Sequence, residues 1–96
     1  MAIMDQYYTQ TNKQGGILMI TPEERDFLKI YRYYKCTAGQ VLQTQHFLSK
    51  KDDFLSPPAA KNWQDILKSL INKELIQLKS NSFYMLTDDG EKEIYG

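Results

Sequence analysis

The chain has 96 residues, room for one hydrophobic core, since chains below ~150 residues rarely divide into two. With 42% hydrophobic and 25% charged residues, and only five Gly and three Pro, its composition is that of a globular domain and excludes a disordered or fibrous chain. Twelve cationic and twelve anionic side chains cancel, so no global field draws the protein to a polyanion.

Residues 1–20 are rich in Gln, Asn, Thr and Tyr around a turn signal at Asn12-Lys13-Gln14-Gly15-Gly16. Neither flank alternates, so a loose hairpin and a flexible arm both stay open, with a tail whose 17–20 end packs on the domain as the favoured reading. Thr21-Pro22-Glu23-Glu24 is a capping box with proline at the first helical position, and it predicts a helix through about Lys35. Phe27, Ile30, Tyr31 and Tyr34 share its inner face. Arg25, Lys29, Arg32 and Tyr33 point outward. Thr37-Ala38-Gly39-Gln40 repeats the box pattern and predicts a short second helix, ending near Ser49, with Val41, Leu42, Gln45 and Leu48 inward. Residues 50–55 read as a charged loop running into Ser56-Pro57-Pro58, where proline blocks continuation from upstream.

Ser56 is positioned to cap a third helix whose apolar stripe, Trp63, Ile66, Leu67, Leu70 and Ile71, has the clearest helical spacing in the chain. Its opposite face carries Lys61, Asp65, Lys68 and Asn72, flanked by Asn62, Gln64 and Ser69. A strand at 75–78, a polar turn at 79–82 and a strand at 83–86 form a hairpin. Thr87 then caps a short final helix with Asp88, Asp89 and Glu91 in its first turn, where carboxylates meet the positive end of the dipole, and Ile94 and Tyr95 fold back on the core.

Three helices, a hairpin and a closing helix in this order resemble the winged helix-turn-helix domain of small prokaryotic and viral regulators of the MarR and PadR types. The run from Trp63 to Ile76 is similar to that family's recognition helix entering the wing, with Glu74 where the family usually has glycine. Tyr84-Met85-Leu86-Thr87-Asp88-Asp89-Gly90 is similar to its exit from the wing. The resemblance spans roughly residues 21–95. It implies an α+β winged helix over 21–96, built of a three-helix core, a two-stranded wing and a short C-terminal helix, preceded by the arm at 1–20. It also implies a cytoplasmic transcription regulator, a homodimer, using the 56–73 helix and the 75–87 wing on double-stranded DNA.

In that reading Lys61 and Lys68 neutralise phosphates, Asn62, Gln64 and Asn72 face base edges, and Lys79, Ser80 and Asn81 lie on the flanking backbone. The competing reading of the same helix is a solvated face with both lysines paired to Asp65. Two features depart from the family pattern: the connection from Leu48 to Ser56 exceeds the usual turn of 3–4 residues, and the presumed recognition face carries no arginine, the commonest base-specific side chain.

The alternative function is a protein–protein interaction module that binds no DNA, with Tyr7, Tyr8 and Tyr33 or the wing meeting the partner. Residues 49–80 hold six lysines against four acids and 81–96 one lysine against four, so an anion-binding surface lies upstream of Asn81. His46 and Cys36 stand ten residues apart without companion ligands, and neither a phosphate loop nor a nucleophile motif is present. The expectation is therefore no metal, no cofactor and no enzyme. A lone cysteine makes no internal disulfide, no apolar run exceeds four residues against the ~20 of a membrane span, and no leader pattern opens the chain, so a cytoplasmic location is expected.

Overall fold

The computed structural model of the protein describes residues 19–96, and the readings made on residues 1–18, Tyr7 and Tyr8 included, lie outside the described residues; at the end of the arm Ile20 packs against the core and Met19 is exposed. Among the described residues, helices and strands follow in the order α1 (Pro22–Tyr33), β1 (Val41–Gln43), α2 (Thr44–Phe54), α3 (Pro57–Lys61), α4 (Trp63–Asn72), β2 (Ile76–Ser80), β3 (Phe83–Leu86) and α5 (Asp88–Tyr95). The strands form one antiparallel sheet in the order β1-β3-β2. The architecture is α+β, with five helices and three strands among the described residues where three core helices, a closing helix and a two-stranded hairpin are expected.

The Thr21 capping box forms as read: Thr21 Oγ1 accepts from Glu24 N at 3.1 Å, and Glu24 Oε1 accepts from Thr21 N at 2.8 Å. Phe27, Ile30 and Tyr31 are fully buried, Tyr34 half so, and Tyr33 faces solvent. The helix closes in a Schellman motif, with Lys35 N donating to Arg32 O and Cys36 N to Tyr31 O, which holds Lys35 at φ 58°.

Residues 37–49 depart from the expectation. Gln40 Oε1 does accept from Thr37 N at 2.7 Å, but Gly39 sits at φ 92°, so this contact closes a turn and not a helix. Gly39 N then donates to Leu86 O and Leu86 N to Gln40 O, which starts β1 alongside β3. Leu42 is buried, while Val41, Gln45 and Leu48, expected inside, are exposed.

The second helix begins instead at Thr44, where His46 Nδ1 accepts from Gln43 N at 2.9 Å. It continues through the segment read as a loop, because Phe47 and Phe54 recur at helical spacing on the core side and Lys50 pairs with Asp53 one turn away at 3.8 Å. The long connection thereby shrinks to Leu55 and Ser56.

Ser56 Oγ accepts from Ala59 N at 3.4 Å, as its capping role requires, but the expected single third helix is broken at Asn62. The β2–β3 hairpin is tighter than read: Lys79 and Ser80 belong to β2, a register shift lies between Leu78 and Ser80, and Asn81 and Ser82 alone make the turn.

The core centres on Phe47, whose ring lies 5.0 Å from Phe27, 5.8 Å from Tyr31, 5.5 Å from Tyr84 and 6.2 Å from Trp63. Tyr31 Oη donates to Tyr84 O at 2.8 Å, so one side chain joins α1 to the sheet and finds its hydroxyl a partner. At the exit from β3, Thr87 Oγ1 shares its proton between the carbonyls of Glu74 (2.7 Å) and Leu75 (3.0 Å) and accepts from Gly90 N. Gly90 needs its missing side chain: a Cβ there would overlap the Leu75 carbonyl oxygen and meet Leu86 Cδ1 at 2.7 Å.

α4 also ends in a Schellman motif, Glu74 N donating to Ile71 O and Leu75 N to Leu70 O. Glu74 therefore sits at φ 64°, a region that costs a non-glycine residue about 1–2 kcal/mol. Urea unfolding should show Glu74→Gly stabilised by about 1 kcal/mol, and Gly90→Ala destabilised by about 3 kcal/mol through overpacking. Unchanged midpoints in both variants would contradict these two backbone assignments.

Candidate nucleic-acid interface

Asn62 sets where α4 points. At φ −106°, ψ 27° it ends α3 and begins α4, its Nδ2 donates to Pro58 O at 3.2 Å, and its carbonyl accepts from Asp65 N and Ile66 N. Leu67 and Leu70 then enter the core, with Trp63, Ile66 and Ile71 packed beside them. The side turned to solvent carries Gln64, Asp65, Lys68 and Asn72, and Lys61 is exposed at the end of α3. Gln64, Lys68 and Asn72 stand at i, i+4 and i+8, a stripe about 12 Å long at 1.5 Å per residue. Among the described residues Asp65 forms an ion pair with neither Lys61 nor Lys68.

The sequence-predicted residues are thus brought together in part. Lys61, Gln64, Lys68 and Asn72 share the exposed side of the α3–α4 pair, and Asn62, also exposed, donates one amide N–H to the Pro58 carbonyl. Lys79, Ser80 and Asn81 are exposed on the hairpin that follows. Tyr33, 53% exposed, belongs to a different surface: its ring lies 5.0 Å from Tyr34 and 5.9 Å from Phe54, with Lys50 Nζ 4.4 Å above its centroid. Glu23 and Asp65 line an open groove of about 490 Å³ between the start of α1 and the α3–α4 corner, so the face is flanked by negative charge.

α4 is anchored from behind by a buried carboxylate. Glu24 is 3% exposed, and its Oε1 accepts from Lys73 Nζ at 2.6 Å as well as from Thr21 N, while Ser69 Oγ donates to Oε2. Lys73 Nζ also donates to Met19 O at 2.7 Å. Burial alone would raise the Glu24 pKa, but the hydrogen bonds from Lys73, Ser69 and the Thr21 backbone, together with the Lys73 charge, outweigh it and hold it below the ordinary 4.5. Glu24 reads from sequence only as a capping residue. Its partners Ser69 and Lys73 lie 45 and 49 residues away, and nothing local points to them.

His46 is occupied by its cap and by an edge-on contact with Tyr34 at 5.0 Å, and burial pushes the Cys36 thiol pKa up. Among the described residues no three His, Cys, Asp or Glu side chains gather where a metal ion would sit, and no helix is long and apolar enough to cross a membrane. No protein-family model, curated protein or solved structure matches this chain.

Because the folded Glu24 pKa is depressed, the stability it contributes is present above pH ~4.5 and is lost as pH falls through the lower folded value. Glu24→Gln should cost about 3 kcal/mol at neutral pH, the lower end for breaking a buried pair, because Lys73 keeps some access to water. Urea titrations from pH 7 downward should show the gap between the two proteins closing below pH ~4.5. A gap independent of pH would mean that the Glu24 charge is not what is lost.

Proposed function

We propose that this protein is a small winged-helix DNA-binding protein of the cytoplasm that regulates transcription, with the 56–73 segment entering the major groove and the 75–87 wing on the adjacent backbone. The observation that carries the reading is the exposed side of the α3–α4 pair, where Lys61, Gln64, Lys68 and Asn72 stand free of the core and the hairpin bearing Lys79 follows directly. The link between α2 and α3 is two residues long, while α4, which bears Gln64, Lys68 and Asn72, follows α2 only after residues 55–62, α3 among them. The α+β architecture is compatible with a winged helix. Two copies would present two such helices to half-sites about one helical turn apart.

A second reading, an interaction module that binds no DNA, is favoured by the wing: Leu78 and Phe83 are 50% and 37% exposed there, beside a single lysine. Fluorescence anisotropy of a labelled random-sequence duplex, at low and moderate salt, separates the two. On the DNA reading the protein binds, the affinity falls with salt, and Lys61→Ala and Lys68→Ala each flatten the salt slope by about one phosphate contact. Asp65→Asn, which removes a carboxylate from the face, tightens binding. Absence of binding at low salt overturns the DNA reading, and the interaction module takes its place.

A further inference from the structure

The exposed side of α4 has a narrow chemical vocabulary. Gln64 and Asn72 are amides, Lys68 between them is a point cation, and Asp65 is a carboxylate. A planar amide offers one donor and one acceptor side by side, which matches adenine N6 and N7 in the major groove, whereas guanine presents two acceptors there and calls for a donor-only side chain, arginine or lysine. No arginine stands on α3 or α4, so Lys68 is the one donor-only side chain set between two amides on the α4 face. Asp65 does not choose between base pairs, because each pair shows one amino donor in the major groove. Asn62, ahead of α4, spends one of its two amide N–H groups on Pro58 O.

We infer that this face reads A·T-rich double-stranded DNA through its major groove, Gln64 and Asn72 each taking an adenine edge and Lys68 lying on phosphate. The inference rests on the DNA-binding reading above and names the class of sequence that the site selects. About 12 Å separates the two amides along the helix, equivalent to roughly three or four base steps of 3.4 Å. They therefore address different base pairs, and removing one leaves the other intact.

The test uses the full chain and three labelled duplexes of equal length, one all A·T, one all G·C and one of inosine·cytosine, titrated at low salt. Inosine·cytosine has the major groove of G·C but lacks the minor-groove amino group that separates G·C from A·T. The expected order is A·T bound tighter than G·C by about 5-fold or more per amide, with inosine·cytosine behaving like G·C. Gln64→Ala and Asn72→Ala each lower the A·T preference about 5-fold while G·C affinity holds, and Lys68→Ala weakens all three duplexes alike. Both amides are exposed, so circular dichroism of the variants should match the parent.

Equal binding of A·T and G·C overturns the inference and leaves the DNA reading standing. So does inosine·cytosine bound as tightly as A·T, which moves readout to the minor groove, or a preference that survives when Gln64→Ala and Asn72→Ala are combined in one chain. No binding to any of the three overturns the DNA reading itself, and the inference with it.

Discussion

Burial of the Glu24 carboxylate is the constraint on which the placement of α4 depends. Taking a carboxylate out of water costs several kcal/mol, and only an ion pair with its remaining acceptor sites filled offsets that cost. Glu24 meets the condition by accepting from the start of its own helix, from Ser69 and from Lys73. The same lysine binds the Met19 carbonyl, so a single ammonium joins the chain entering the domain, the first turn of α1 and the end of α4. With that end of α4 fixed and Leu67 and Leu70 seated in the core, the rotation of the helix leaves Gln64, Lys68 and Asn72 outside.

The sheet is held to the helices by a second set of contacts. Tyr31 reaches from α1 to the backbone of β3, and Phe47 from α2 packs against Tyr84 on the same strand. Thr87 and Gly90 close the far side, because the hydroxyl ties β3 back to the segment after α4 and the absent side chain lets α5 approach Leu75. The hairpin is thus rooted in the core at Ile76 and Leu86, while its tip, from Leu78 to Phe83, extends past it into solvent. A hairpin rooted in this way keeps a defined position relative to α4, as the proposed composite surface of helix and hairpin requires.

Features decided within one turn or one hairpin are legible in the sequence. The caps at Thr21, Ser56 and Thr87, the hairpin and the apolar stripe of α4 all form, and the stripe identifies the exposed side because whatever is not on it must face water. What stays hidden depends on distant partners. The text at 37–40 is the same for a helix cap and for a turn into a strand, and pairing with β3, more than 40 residues downstream, decides for the strand. The charged segment at 50–54 looks like a loop until Phe54 finds the core and Lys50 finds Asp53. Asn62 shows the same limit within the site, since its identity fits base contact and only its bond to Pro58 O reveals another use. The Glu74 position is a mixed case: the resemblance expects glycine there, and the left-handed backbone supplies the physical reason.

The most direct measurement of the central claim, that the exposed side of α4 is the working surface, is amide chemical-shift mapping of isotopically labelled protein titrated with an A·T duplex. The largest perturbations should fall at Gln64, Lys68 and Asn72 and on the hairpin at 79–82, with the reverse of the molecule unmoved. Perturbations gathered instead around Tyr33 and Lys50, with α4 silent, would contradict it.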